Sequence, residues 1–231
     1  MKLHKLTPAR LIALGFLMII VLGAGLLLLP FASKGEAAKP LDALFTATSA
    51  TCVTGLIVRD TFTGWTVFGQ LVILALIQLG GLGLMTVITL VSFAAGKRLS
   101  LYDRKVLMQS AGNTTLSGVG GLIRRIVPFT FVLELTGAAL LATRFVPALG
   151  WGRGLYASVF HAISAFCNAG FDLMGMREPF SSMTAFVADP VVNLTLCALI
   201  VIGGLGFLVW RDVVRCRFRF SKFQLHTKLV L

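Results

Sequence analysis

Apolar residues fall in long unbroken blocks along this chain. Leu11–Pro30 has no charged residue over 20 positions, Thr61–Gly96 none over 36 and Pro190–Trp210 none over 21, and Ile126–Thr143 is interrupted only by Glu134. A helix rises about 1.5 Å per residue, so roughly 20 residues cross a hydrocarbon core about 30 Å thick. The blocks therefore predict four spans, over 11–30, 61–96, 126–147 and 190–210. The first is too long in its apolar part for a signal peptide, and no A-x-A-like site follows it directly. The second exceeds one span, which predicts a helix that tilts or bends at its glycines.

A short segment occurs twice between these blocks. Phe45-Thr46-Ala47-Thr48-Ser49-Ala50-Thr51-Cys52-Val53-Thr54-Gly55 returns as Phe160-His161-Ala162-Ile163-Ser164-Ala165-Phe166-Cys167-Asn168-Ala169-Gly170, identical at six of eleven positions. Each copy precedes the same signature, Gly80-Gly81-Leu82-Gly83 and Gly203-Gly204-Leu205-Gly206. Threading both segments fully across a membrane would put the basic stretch Lys97–Arg125 outside. If both dip in and return on one side, 15 of the 21 Lys and Arg residues share the inner face with only Asp103 and Asp212. Short basic loops stay cytoplasmic, so the charge pattern selects two re-entrant loops and a cytoplasmic N-terminus.

Composition agrees with that reading. At 57% hydrophobic and 13% charged residues, the chain has the make-up of an integral membrane protein. Its net charge of +12 is accounted for by cations beside spans, where orientation and anionic lipid require them, so no nucleic-acid partner is expected. The predicted fold is all-α: two tandem copies of helix, pore loop and helix in parallel orientation, the arrangement of a pore. The first repeat covers 1–115, with its pore helix and loop at 41–58. The second covers 116–221, with its pore helix and loop at 152–171, and residues 222–231 begin a third.

The expected chemistry is that of the backbone. Irregular chain at membrane depth leaves carbonyls without helical partners, which is tolerable only inside protein or beside a water-filled path. Inward carbonyls can replace the hydration shell of a cation. Gly55 and Gly170 supply the conformational freedom such loops need. The helices before them aim their negative ends at the bilayer interior.

At these residues the chain resembles the membrane subunit of the Trk/Ktr potassium-uptake family. The resemblance rests on Asp42–Leu56, on Gln78-Leu79-Gly80-Gly81-Leu82-Gly83 and on Phe166-Cys167-Asn168-Ala169-Gly170-Phe171, and it extends over essentially the whole chain. It implies potassium uptake across a bacterial cytoplasmic membrane, with no organic cofactor and with sodium as a possible activator. It assigns the filter carbonyls to Val53, Thr54 and Gly55 in the first loop and to Asn168, Ala169 and Gly170 in the second. It also implies a cytoplasmic nucleotide-binding regulatory subunit of the KtrA/TrkA kind, docked near Leu99–Gly121; membrane lipid and a second copy of the chain are the other expected partners. Relatives of this type carry four repeats, so a two-repeat chain is expected to be a truncated copy or to surround an ion by pairing.

Other residues leave alternatives open. Glu134 either tunes cation entry or braces a re-entrant helix through Ser164 or nearby backbone. His161 is either a pH sensor or a packed, hydrogen-bonded residue. The Gly-Gly-Leu-Gly runs serve as hinges or as close-packing surfaces. Cys52 and Cys167 fill space behind the loops, while Asp42, Asp60 and Asp172 concentrate cations at an outer mouth. No catalytic constellation is present among the three histidines and scattered acids. Competing readings are a non-conducting assembly module and an ion-coupled secondary transporter.

Overall fold

The computed structural model describes residues 8–83, 119–217 and 219–231 of the chain. Among these the structure is helical, and its one β feature is an isolated antiparallel bridge between Ser33 and Trp65. The first group comprises α1 (Pro8–Leu27), α2 (Pro40–Thr51), the single turn α3 (Thr61–Gly64) and α4 (Val67–Gly81). The second comprises α5 (Val119–Leu149), α6 (Trp151–Phe166) and α7 (Pro190–Gly204). It is followed by α8 (Phe207–Arg215) and the short α9 (Leu225–Val230).

Helix starts follow local chemistry. Pro40 and Pro190 occupy first-turn positions, where a missing N–H costs nothing. Asp189 accepts from the Val191 and Val192 N–H groups at 2.9 and 3.2 Å, and Thr66 caps α4 through Gly69. Helices α1, α2 and α4 each pack on the other two, α5, α6 and α7 do the same, and α4 meets α6 between the groups. One apolar core runs through both, with Leu27, Trp65, Ile73 and Ile77 on one side and Leu141, Phe145, Phe160 and Phe171 on the other. Leu17, Met18, Leu22, Val132, Leu135 and Leu194 point outward and are exposed, a surface suited to lipid rather than water.

Three expected spans differ in form. The block 61–96 does not begin as one helix. Asp60 accepts the Phe62 and Thr63 N–H groups and closes α3, Trp65 is extended, and α4 starts only at Val67. The far end of that block, the 115/116 boundary and most of Leu99–Gly121 lie outside the described residues. The block 126–147 is the middle of a 31-residue helix that contains Pro128 and Pro147. The block 190–210 is broken. Gly206 at φ +81° ends it, and Pro190–Gly204 and Val209–Arg215 enclose 92°. Among the described helices Val127–Leu149 is long and apolar enough to cross a membrane alone, whereas Ile12–Leu27 and Val67–Gly81 are shorter.

Candidate functional site

Helices α2 and α6 end in the same way. Beyond α2, Val53 N–H donates to Ala50 O at 3.2 Å and Thr54 N–H to Ser49 O at 2.8 Å. Beyond α6, Asn168 N–H donates to Ala165 O at 3.0 Å and Ala169 N–H to Ser164 O at 2.8 Å. Both are six-to-one closures around a left-handed residue, Val53 at φ +50° and Asn168 at φ +58°. Asparagine tolerates that region; a β-branched valine is strained there. Each chain then passes through a second left-handed position, Gly55 at φ +80° and Gly170 at φ +73°.

The caps turn the loop N–H groups back into their helices and leave the loop carbonyls free. Among the described residues, no hydrogen-bond donor reaches the carbonyl of Val53, Thr54, Gly55, Asn168, Ala169 or Gly170. The loops meet backbone to backbone. A Cβ built on Gly55 would lie 2.6 Å from Ala169 O, and one on Gly170 would lie 3.4 Å from Gly55 Cα. All six residues chosen from the sequence therefore fall in one neighbourhood, with Ala169 buried and Thr54, Asn168 and Gly170 exposed.

Side chains fix the second loop from behind. Ser164 Oγ donates to Phe171 O at 2.6 Å, and Asn168 Nδ2 to Ile200 O at 3.3 Å. Buried His161 has Nδ1 2.7 Å from Ala157 O and receives the Leu173 N–H at Nε2, 3.2 Å away. One nitrogen must donate and the other accept, so the imidazole is neutral and holds the chain after the loop in place. Asp172 Oδ1 takes the Met174 N–H at 2.8 Å.

Glu134 has a different partner from the one expected. Ser164 uses its hydroxyl on Phe171, and Glu134 Oε1 instead accepts from Gln78 Nε2 at 2.9 Å. Gln78 Oε1 lies 3.8 Å from Cys167 Sγ, so a polar chain links α5, α4 and the start of the second loop. Gln78 was missed as a site residue, although an amide inside an uncharged block was a usable signal. The two cysteines are not alike. Cys167 is buried against Gly81, and Cys52 is exposed.

The glycine signatures pack closely. Gly80 lies against the carbonyl of Thr51, and Gly203 lies against that of Phe166, the equivalent residue of the other loop; neither leaves room for a Cβ. The third glycine of each run, Gly83 at φ +79° or Gly206 at φ +81°, is where the helix has stopped. Asp60 also departs from expectation. It is 5% exposed, with Oδ1 accepting from Phe62, Thr63 N–H and Thr63 Oγ1 and Oδ2 from the Phe180 N–H at 3.0 Å. A carboxylate so engaged ties the two groups together and does not front an outer mouth.

Apolar helices with outward-facing leucines, packed around two touching loops, are the architecture of a helical membrane protein. The sequence matches the family TrkH, described as cation transport protein, over residues 12–229, and the chain belongs to that family. It is 47% identical over its full length to the Ktr system potassium uptake protein B of Bacillus subtilis, covering 50% of that protein. It is 43% identical to the potassium/sodium uptake protein NtpJ of Enterococcus hirae, with 98% of this chain and 49% of that one aligned. Against the Ktr system potassium uptake protein B of Vibrio alginolyticus the identity is 42%, over 96% of this chain and 48% of the relative. The chain thus spans about half the length of the curated relatives it matches. The family is one of cation transporters, not of enzymes.

Proposed function

We propose that this chain supplies two filter loops of a potassium-uptake pathway in a bacterial cytoplasmic membrane. In this reading the chain is two parallel repeats, 1–115 and 116–221, followed by the start of a third at 222–231, with a cytoplasmic N-terminus. Helices α2 and α6 are re-entrant, and the carbonyls of Val53, Thr54, Gly55, Asn168, Ala169 and Gly170 substitute for the water around a potassium ion. The observation that carries this is the donor-free state of those six carbonyls on two identically capped, touching loops. The relatives' names, two for potassium and one for potassium/sodium uptake, support the choice of ion and keep sodium as activator or second cargo. A second copy and a cytoplasmic nucleotide-binding subunit of the KtrA/TrkA kind are the proposed partners.

Rubidium uptake into liposomes carrying the chain tests the proposal, with potassium and sodium as competitors. Potassium is expected to block uptake far better than sodium, and Gly55→Ser with Gly170→Ser is expected to erase that difference. Flux that the double substitution leaves unchanged would remove these loops from the pathway. Absence of flux would favour the assembly-module reading.

A further inference from the structure

The turn after α8 forms a charged cleft that takes no part in the loops. Arg215, Arg217, Arg219 and Lys222 line it together with Asp212 and Gln224, around a volume of about 590 Å³. Among the described residues the ion pair found is Arg144–Asp189, so none of these four cations is salt-bridged there. Asp212 offsets at most one of them, and its oxygens are engaged. Oδ2 accepts the Gln224 N–H at 2.8 Å, and Oδ1 lies 3.7 Å from the Cys216 thiol.

The cleft is a folded structure rather than a meeting of loose arms. Arg217 sits at φ +50°, Cys216 Sγ donates to Lys222 O at 3.3 Å, and Arg219 N–H donates to Cys216 O at 3.1 Å. Val209, Val213 and Phe223 form a small apolar core beneath it. The 92° bend turns α8 across the axis of α7. Trp210 holds α8 against α5 and α7, its ring 5.8 Å from that of Phe129 and tilted 48° to it, with Nε1–H donating to Ile202 O at 2.9 Å. Val214 and Phe220 are exposed beside the cations. Arginines without an ion pair among the described residues, next to exposed apolar side chains, match the chemistry of an anionic lipid surface.

We infer that this cleft binds a phosphate-bearing anion, namely the headgroup of an anionic lipid at the inner membrane surface. The guanidinium groups of Arg215, Arg217 and Arg219 offer paired N–H donors suited to phosphate oxygens, and Lys222 adds a point charge. Phe220 and Val214 lie where the acyl chains begin. The inference shares with the proposed function only the assignment of this end of the molecule to the inner face.

Native mass spectrometry of the protein released from nanodiscs of mixed phosphatidylglycerol and phosphatidylcholine tests it. The wild-type protein is expected to retain phosphatidylglycerol in preference to phosphatidylcholine. A variant carrying Arg215→Gln, Arg217→Gln, Arg219→Gln and Lys222→Gln is expected to lose at least about tenfold of that retention, since each cation near an anionic surface contributes about a fivefold factor. Arg153→Gln with Arg177→Gln, on the opposite face, is expected to leave it unchanged. Displacement of the bound lipid by millimolar inorganic phosphate would identify a soluble phosphate as the natural source, with the same site chemistry. Wild-type protein without phosphatidylglycerol preference overturns the inference whether or not the variant folds. Equal retention by a variant with wild-type melting behaviour overturns it too, as does a variant that keeps its lipid but loses a cytoplasmic protein partner.

Discussion

Gly55 combines a left-handed backbone with direct contact to the other loop, so a single methyl group meets two obstacles there. Gly55→Ala brings about 1–2 kcal/mol of backbone strain and sets Cβ 2.6 Å from Ala169 O. Rubidium uptake competed with potassium and sodium is expected to lose its discrimination. Val53 presents the opposite case, because its left-handed turn is occupied by asparagine in the second loop. Val53→Asn is expected to be tolerated, with a thermal stability within about 1 kcal/mol of wild type as relief of strain offsets lost packing. A larger loss on melting would show that Val53 is held for its contacts. The two glycines and their neighbours were legible as residues, since the repeat marks them. The Gln78–Glu134 pair was not, because its members are 56 positions apart. Glu134→Gln is expected to lower membrane yield and leave ion competition unchanged; normal yield with altered ion affinity would make the carboxyl functional.

Helix-to-helix fit in both groups depends on glycines placed against carbonyls. Gly80→Ala forces a methyl group into the C-terminal end of α2, and Gly203→Ala forces one into that of α6. Each is expected to cost about 1–3 kcal/mol, the usual range for overpacking, measured as a fall in melting temperature in detergent. Gly204→Ala, where the nearest atom lies 3.7 Å away, is expected to cost much less. Equal effects at all three positions would argue for a hinge role in place of packing. The blocks of the sequence marked where helices lie but not where they stop. The uncharged run from Thr61 through Val67 gives no sign of a break, since the break depends on a side chain, Asp60, capping backbone. Nor does hydropathy separate Gly204 from Trp210, where a left-handed Gly206 ends the helix.

Asp60 and Asp172 act at the scale of the whole molecule, where the two groups meet. Asp60→Ala leaves the Phe62, Thr63 and Phe180 N–H groups without their acceptor. A loss of roughly 3 kcal/mol or more is expected, since each buried donor left unsatisfied costs about 1–3 kcal/mol. Burial pushes the Asp172 carboxyl above the usual carboxylate range, the Met174 N–H opposes that shift and the nearby Asp60 adds to it. Its ionisation therefore opposes folding. The stability tied to this group is fully present below the ordinary carboxylate range and is lost as pH rises through the raised folded value. Asp172→Asn is expected to melt above wild type at neutral pH, with the two converging on acidification; a gap that does not change with pH would refute this. By itself the sequence determined the helical membrane character and the cation-transport family, and it marked the recurring segment around Gly55 and Gly170, because apolar run length, charge bias and local repetition are written along the chain. Only the tertiary structure decided that the loops touch at Gly55 and Gly170, that Gln78 rather than Ser164 partners Glu134, and that Asp60 is a buried clamp. Those outcomes depend on which backbone and side-chain atoms meet across distant segments, and no local pattern encodes that.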